Sequence, residues 1–261
     1  MEFEGKVVAI TGAAGGIGQA LCRYFGKAGA TIAAIDKSRA VTALAKTLGK
    51  EGIKAKAARL DIGDEKAVAK AFAKFAAGLG PVDILVNNAG FSDAPSLRLT
   101  SPADFRRLVE GNLNGAYYCA HAVLPEMIAR RSGNIVSIGS VNGFSALGDP
   151  AYSAGKAGLV ALTRALAMEY GRYGIRANLV APGTVRTPIW EERVARNPKI
   201  LTQLAKWYPL GRVADPIDIA RAVGFLASDA AAAITGVALP VDCGLTAGNI
   251  VMARELTLED F

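Results

Sequence analysis

The sequence predicts an α/β protein with one doubly wound parallel sheet of about seven strands and helices on both faces. The first observation is that short apolar or β-branched runs alternate with longer segments of helical periodicity along the whole chain. The second is length, because 261 residues, of which 51% are hydrophobic, can form one sizeable core. No internal repeat or linker interrupts the pattern, so we expect a single domain over residues 1–261.

The predicted strands are continuous apolar runs, as expected for a parallel sheet that is covered on both faces. They lie at residues 6–10, 30–35, 55–60, 84–86, 134–138, 176–180 and 238–241. The predicted helices lie near 16–29, 38–49, 64–78, 102–131, 151–173 and 216–228. Ligands of such sheets bind beyond the carboxyl ends of the strands, so we expect the functional side chains there.

Two segments have no predicted helix or strand. Residues 184–215 are predicted as an irregular loop over the site, and residues 249–261 as a C-terminal tail of unknown placement. Within the loop, the aromatic residues Trp190, Trp207 and Tyr208 could either line a substrate pocket or anchor the loop to the core.

The chain is basic, with a formal charge of +7 at pH 7, but its Lys and Arg residues are scattered and match no nucleic-acid-binding motif. A local excess of positive charge occurs between residues 186 and 212, where the sequence has six basic residues and only two acidic ones, Glu191 and Glu192. It indicates either a solvated helix face or contact with an anionic substrate. The six are Arg186, Arg193, Arg196, Lys199, Lys206 and Arg212.

Composition excludes several other classes. No run reaches the roughly 18 apolar residues of a membrane span, and the first residues lack the pattern of a signal peptide. Three scattered cysteines and one histidine predict no metal site. We therefore expect a cytoplasmic protein with reduced cysteines, without a membrane or nucleic-acid partner.

Glycines cluster between the first predicted strand and the first predicted helix. The run 11–18, TGAAGGIG, contains Gly12, Gly16 and Gly18. Bare backbone at such a junction turns sharply and presents N–H groups to a pyrophosphate. Glycines also simply permit a bend, but the strand-to-helix context favours cofactor binding.

Asp36 ends the second predicted strand, eighteen residues beyond Gly18. A carboxylate there can accept hydrogen bonds from the ribose hydroxyls of adenosine and repel a 2′-phosphate, which favours NAD over NADP. A helix-capping role is the alternative, and Lys37 and Arg39 could still accommodate NADP.

Further polar and small residues follow the next two predicted strands, at the same edge of the sheet. They are Asp61 and Ile62 after the third strand, and Asn88, Ala89 and Gly90 after the fourth. Either group alone could simply form a turn, because Asn, Asp and Gly are common turn residues. Together with the glycine run, they predict one continuous cofactor site.

Tyr152 and Lys156 lie four residues apart on one face of a predicted helix, twelve residues after Ser140. An ammonium group near a phenol favours the phenolate and makes it a better base near neutral pH. A surface pair on a helix is the alternative interpretation of this spacing.

Taken in order, these motifs resemble those of the short-chain dehydrogenase/reductase family, over about residues 6–248. The matching positions are Gly12, Gly16 and Gly18, the run 87–90, Asn112, Ser140, Tyr152, Lys156, and the run 182–187. The resemblance implies a Rossmann-like fold and a nicotinamide cofactor. One departure is Cys243, which stands where the family has glycine, so that turn must tolerate a side chain.

The resemblance also implies a role for each catalytic position. Ser140 would hold and polarise the substrate oxygen, and Tyr152 would exchange a proton with it. Lys156 would bind the nicotinamide ribose and lower the pKa of the Tyr152 hydroxyl. Asn112 would help to hold a water molecule of the proton relay, and Thr187 would bind the nicotinamide carboxamide.

The expected cofactor contacts combine the motifs with this resemblance. They are Gly12, Gly16, Ile17, Gly18, Asp36, Asp61, Ile62, Asn88, Ala89, Gly90, Tyr152, Lys156, Pro182, Gly183, Val185 and Thr187. Gly15 stands where the family's NADP-preferring members often carry a basic residue, which again favours NAD. The resemblance further implies a homotetramer, built partly from the long helices near 102–131 and 151–173.

The resulting hypothesis is an NAD-dependent oxidoreductase that interconverts a secondary alcohol and a carbonyl by hydride transfer. The expected substrate is a sugar, polyol or sugar acid, with room for an anionic substituent. Reduction of a 3-oxoacyl thioester is the alternative within the enzyme class. A catalytically silent, cofactor-binding regulatory protein is the alternative outside it.

Overall fold

The computed structural model describes residues 1–259, and within them seven strands form a single parallel sheet. The strands are β1 (Val7–Thr11), β2 (Thr31–Asp36), β3 (Ala55–Arg59), β4 (Ile84–Asn87), β5 (Gly133–Ile138), β6 (Ile175–Pro182) and β7 (Ala238–Val241). Their order in the sheet is β3-β2-β1-β4-β5-β6-β7. The prediction of a doubly wound parallel sheet of about seven strands is confirmed. The expected tail ends in Asp260 and Phe261, which lie outside the described residues.

Helices connect the strands and cover both faces of the sheet. They are α1 (Gly16–Lys27), α2 (Ala40–Lys50), α3 (Glu65–Leu79), α4 (Pro102–Val109), α5 (Gly115–Arg130), α6 (Pro150–Tyr170), α7 (Glu191–Arg196), α8 (Ile200–Leu204), α9 (Pro216–Ala227) and α10 (Ile250–Thr257). Among residues 1–259, no helix combines the length and the apolar character needed to cross a bilayer.

The two faces of the sheet bury two separate hydrophobic clusters. Along β1, Val8 and Ile10 pack into the cluster that contains Phe25 of α1, whereas Val7 and Ala9 pack into the opposite one. This alternation follows from the two-residue period of a strand. The first cluster includes side chains of α1, α2 and α9, and the second those of α3, α5 and α6. Every residue of β1 is buried, as the continuous apolar pattern predicts.

The strand order fixes where a ligand can bind. Val8 of β1 pairs with Ile32 of β2 on one side and with Ile84 of β4 on the other. The chain winds outward from β1 to β3 and then returns to place β4 on the opposite side of β1. Loops after β1 and β4 therefore leave in opposite directions and open a crevice between them.

The predicted helix over 102–131 is interrupted. A π-helical turn, Glu110–Asn114, separates α4 from α5. In this turn the side-chain amide of Asn112 donates a 2.8 Å hydrogen bond to the Leu108 carbonyl and another, also 2.8 Å, to the Phe91 carbonyl. Side-chain insertion into the backbone ladder is a common cause of such turns.

The prediction that residues 184–215 are irregular is wrong, because this segment contains α7 and α8. The tail contains α10, whose first turn is capped by the side chain of Asn249: its Oδ1 accepts a 3.1 Å hydrogen bond from the Met252 N–H. Helices of five to eight residues span too few turns for an apolar period to be recognised. The turn at Cys243 does carry a side chain in the left-handed region, at φ 54°.

Candidate active site

A cleft at the carboxyl ends of β1 to β4 brings together most of the predicted cofactor residues. Its lining includes Gly12, Gly16, Ile17, Gly18, Asp36, Asp61, Ile62, Asn88, Ala89, Gly90 and Thr187. They come from five separate loops or strand ends, which the parallel sheet places at one edge. Lys37, which the sequence offers as a residue that could accommodate NADP, also lines this cleft, and so does Phe91, which the sequence motifs do not identify.

The loop after β1 approaches its neighbours too closely for side chains at three of its glycines, of which Gly12 would place a Cβ atom 2.8 Å from the Ala89 Cα. A Cβ atom on Gly18 would collide with the carbonyl oxygen of Gly12, and one on Gly16 would lie 2.8 Å from the side chain of Thr187. Gly15 differs, because a Cβ atom there would meet only the Gly12 oxygen at 3.4 Å. The loop therefore forms a bare cradle at the N-terminus of α1, which suits a phosphate group.

Thr11 and Asn88 hold this loop against the end of β4. The Asn88 side-chain amide donates hydrogen bonds to the carbonyls of Thr11 (2.9 Å) and Gly12 (3.1 Å). The Thr11 hydroxyl in turn accepts 3.0 Å hydrogen bonds from the N–H groups of Asn88 and Ala89. Asn88 thus positions the glycine loop in addition to lining the cleft.

Asp36 connects the second strand to the same loop. Its Oδ2 accepts a 3.0 Å hydrogen bond from the Ala14 N–H, and its Oδ1 accepts a 2.8 Å hydrogen bond from the Ser38 N–H. Each carboxylate oxygen keeps a second lone pair for a ligand. Next to it, the Lys37 ammonium lies 4.5 Å from the centre of the Phe91 ring, a cation–π contact across the cleft.

A second cavity continues from the cofactor cleft towards α6 and α7. Its lining contains the predicted residues Ser140, Tyr152, Lys156, Pro182, Gly183 and Val185. The two cavities share Ile17, Asn88, Gly90, Phe91, Thr187 and Ile189. A ligand in the cleft would therefore meet a substrate beside Tyr152, and we refer to the second space as the substrate cavity.

Tyr152 and Lys156 project from the first turns of α6 into this junction. Lys156 is 2% exposed, and its Nζ donates a 2.8 Å hydrogen bond to the Ile138 carbonyl. The Nζ atom lies 5.5 Å from the centre of the Tyr152 ring. Burial lowers the pKa of Lys156 to about 8, because an ammonium group is poorly solvated there.

Burial also dominates the acidity of Tyr152. It raises the pKa of the phenol, a hydrogen bond with Ser140 opposes the rise, and the negative charge of Asp149 adds to it. The lowered pKa that the sequence predicts from Lys156 is therefore not found in the protein alone.

Asn112 is buried and lines neither cavity. Besides its bonds to the Leu108 and Phe91 carbonyls, its Oδ1 accepts a 3.2 Å hydrogen bond from the Phe91 N–H. A Cβ atom on Gly90 would lie 2.7 Å from this Oδ1 and 3.0 Å from the Lys156 Nζ. The Asn112 side chain thus fixes the loop after β4 against Lys156.

The substrate cavity contains two polar residues that the sequence does not single out, Asn142 and Asp149. Arg193, Trp190 and Tyr208, which the sequence offers as possible substrate contacts, also line it. The Tyr208 hydroxyl accepts a 3.1 Å hydrogen bond from the Thr184 N–H, so this residue both lines the cavity and anchors the loop. Trp207 is not part of the lining.

Carboxylates pair with three of the six basic residues of segment 186–212. Arg186 pairs with Asp215 at 3.3 Å, Arg212 pairs with Asp218 at 2.6 Å, and Arg196 pairs with Glu192. Among the six basic residues, Arg193 is the one that lines the substrate cavity, with its guanidinium 4.8 Å from the centre of the Trp190 ring. The other five lie outside the cavity lining, as the solvated-face interpretation predicts, and Arg193 is the exception.

The contrast between Gly18, which has no room for a side chain, and Gly15, which has, gives a direct test of the glycine cradle. We expect Gly18→Ala to lower the free energy of unfolding by about 1–3 kcal/mol and to weaken NADH binding at least tenfold, since the loop must move. Gly15→Ala is the control, with a cost below about 1 kcal/mol and little change in binding. Chemical denaturation and NADH fluorescence titration measure both quantities. Equal effects of the two variants would contradict the assignment.

Comparison with known proteins agrees with this geometry. A family model described as enoyl-(acyl carrier protein) reductase matches residues 12–246. An oxidoreductase of the short-chain dehydrogenase/reductase family from Burkholderia thailandensis has a crystal structure that superposes with a TM-score of 0.93 at 52% identity, covering 98% of each chain.

Two relatives that are named as dehydrogenases also align with this chain over almost their whole length. Cis-4-hydroxycyclohexanecarboxylate dehydrogenase of Sinomonas cyclohexanicum is 39% identical, over 94% of this chain and 98% of that protein. Meso-2,3-butanediol dehydrogenase of Serratia marcescens is 38% identical, over 95% and 98%. With these matches and the cleft described above, the chain belongs to the short-chain dehydrogenase/reductase family and is an oxidoreductase that acts on CH–OH groups.

Proposed function

We propose that the protein oxidises a secondary alcohol to a ketone with NAD, and that its substrate is a sugar, polyol or sugar acid. The observation that carries the proposal is the position of Tyr152 and Lys156, which lie side by side where the cofactor cleft meets the substrate cavity. Asp36 at the far end of the cleft supports NAD as the cofactor.

The cleft fits a dinucleotide in its chemistry. The glycine cradle at the start of α1 would hold the pyrophosphate, and Asp36 would accept hydrogen bonds from the adenosine ribose. Asp61 and Ile62 would lie beside the adenine, and Thr187 would bind the carboxamide at the other end. When bound, a nicotinamide cofactor supplies the hydride acceptor for the reaction.

The chain's own groups would manage the proton of the alcohol. The Ser140 hydroxyl, held by a 3.2 Å hydrogen bond from the Asn142 N–H, would orient the substrate oxygen. Tyr152, as the phenolate, would remove the hydroxyl proton while the carbinol C–H bond breaks and the carbonyl forms. Below pH 8 or so, the Lys156 ammonium would favour that phenolate.

Two alternatives remain distinguishable by experiment. Reduction of a 3-oxoacyl thioester requires NADPH- or NADH-dependent turnover of such thioesters. The description of the matching family model, an enoyl-(acyl carrier protein) reductase, shares only the acyl-thioester part of that substrate. A silent regulatory protein would bind NADH without turnover. The presence of Ser140, Tyr152 and Lys156 together in the substrate cavity opposes it, since cofactor binding alone requires no group that transfers a proton.

We also propose a homotetramer in the cytoplasm. Support for assembly comes from large apolar side chains on the outer faces of the long helices, with Tyr117 of α5 47% exposed and Met168 of α6 80% exposed. His121 lies beside Tyr117 on the same face of α5 and is exposed.

The cofactor preference is tested by removing the charge at Asp36. NADH formation by the wild type should exceed NADPH formation, and Asp36→Asn should raise the NADP/NAD ratio of kcat/KM at least tenfold. The reason is that the repulsion of a 2′-phosphate is lost while Lys37 stays near. Asp61→Asn is the control: it should weaken both cofactors alike and leave the ratio unchanged. An unchanged ratio in Asp36→Asn would refute the role of Asp36.

The substrate preference is tested across neutral polyols and their carboxylated counterparts. If Arg193 binds an anionic group, Arg193→Gln should raise KM for the carboxylated substrates about tenfold and leave the neutral ones within threefold. Arg196→Gln, which removes a cation already paired with Glu192 outside the cavity, should change neither. Loss of activity towards neutral and anionic substrates alike would remove Arg193 from specificity.

A further inference from the structure

Asp149 has an unusual position for an aspartate at the start of a helix. It precedes Pro150, the first residue of α6, where an aspartate side chain ordinarily accepts hydrogen bonds from the next backbone N–H groups. Here it makes no such bond, because its backbone lies in the left-handed region at φ 49° and ψ 64°. Within residues 1–259, no hydrogen bond or ion pair engages this carboxylate, which lines the substrate cavity instead.

The turn that holds Asp149 is firmly fixed. The Gly148 carbonyl accepts hydrogen bonds from the side chains of Asn142 (3.2 Å) and Ser153 (2.9 Å), and the Asp149 N–H donates to the Pro95 carbonyl at 3.2 Å. Asn142 also binds Ser140 through its N–H. A left-handed aspartate is less stable than a right-handed one, so the surrounding contacts impose this conformation. They fix the carboxylate relative to the serine that would hold the substrate oxygen.

The chemistry of the carboxylate defines its partner. An ionised carboxylate only accepts hydrogen bonds, so the group it binds must be a donor. Its charge also opposes formation of the Tyr152 phenolate, so the proton transfer does not explain its presence. Arg193 lines the same cavity, and its positive charge disfavours a cationic donor such as an ammonium group. A neutral hydroxyl group is the donor that fits both charges.

We propose that Asp149 is a specificity residue, which accepts a hydrogen bond from a second hydroxyl group of the substrate and so selects diols and polyols over mono-alcohols. This inference rests on the proposed oxidation of a secondary alcohol. Ser92, whose buried hydroxyl has no hydrogen-bond partner among the described residues, lines the same cavity and is a second group that a polyol could satisfy.

The test compares meso-butane-2,3-diol with butan-2-ol in the wild type and in Asp149→Gly. Glycine adopts the left-handed conformation without strain, so the variant removes the acceptor and keeps the turn. We expect the diol/mono-alcohol ratio of kcat/KM to fall at least tenfold, with butan-2-ol changed less than threefold. Asp149→Asn should show a smaller loss. Asp93→Asn, which removes a carboxylate paired with Arg107 outside the cavity, should leave the ratio unchanged.

A second readout separates specificity from mere support of the fold. The titratable or charged groups around the Tyr152 phenol in the cavity are Asp149, Lys156, Arg193 and Tyr208. Removing the Asp149 charge lets the phenolate form at lower pH, so the acidic limb of the kcat/KM profile should move to lower pH. If Asp149 had a purely structural role, its removal would lower kcat/KM for both alcohols by the same factor and leave the acidic limb in place. That result would overturn the proposal.

A failure of the proposed function can be distinguished from a failure of the Asp149 inference. If the wild type oxidises neither alcohol with NAD, that function fails for this class of substrate. Calorimetric titration of both alcohols into the NADH-saturated wild type and Asp149→Gly then tests Asp149 alone. Tighter binding of the diol that is lost in the variant would support the inference, and equal binding of both alcohols would overturn it.

Discussion

Hydrogen bonds between the ends of β1 and β4 are the interaction on which the site depends. The sheet order puts these two strands side by side while their loops leave in opposite directions, so the loops need a separate connection. Thr11 and Asn88 supply it with four hydrogen bonds of 2.9–3.1 Å. The glycine cradle, the Asp36 carboxylate and the loop that carries Gly90 are all placed relative to this connection.

Burial determines what the catalytic groups can do. Lys156 is held by a carbonyl rather than a carboxylate, which leaves its charge available to favour a phenolate nearby. The same lack of water raises the pKa of Tyr152 and lowers that of Lys156, so both pKa values move away from what base catalysis needs. The protein alone therefore does not give Tyr152 and Lys156 the pKa values that base catalysis needs, and we expect the bound cofactor and substrate to contribute to the electrostatics of the site.

Most of the fold and the cofactor cleft could be predicted from the sequence, because both follow from strong local patterns. The central strands are buried apolar runs, and the residues after the carboxyl ends of the strands must meet at one edge of the sheet. The short helices α7 and α8 could not be predicted, since five or six residues show no clear period. The connection from Asn112 to Phe91 spans 21 residues and forms only in the folded chain.

The residues of the substrate cavity were the least predictable part of the site, because they too come together only in the folded chain. Asp149 stands where the sequence alone would suggest an ordinary helix cap, but in the folded chain it makes no capping bond and lines the cavity. Arg193 is one of six basic residues, and only its place in the cavity lining of the folded chain distinguishes it from the other five. Specificity depends on such single contacts, which no spacing of residues encodes.

In the proposed mechanism, Tyr152 exchanges the substrate proton while the rest of the site binds the cofactor. The variant Tyr152→Phe separates these two roles, with NADH affinity measured by fluorescence and alcohol oxidation by NADH formation. We predict a loss of kcat of about 10²–10⁴-fold, with NADH affinity within threefold of the wild type. Tyr173→Phe, outside both cavities, should retain full activity. Full turnover by Tyr152→Phe would contradict the account.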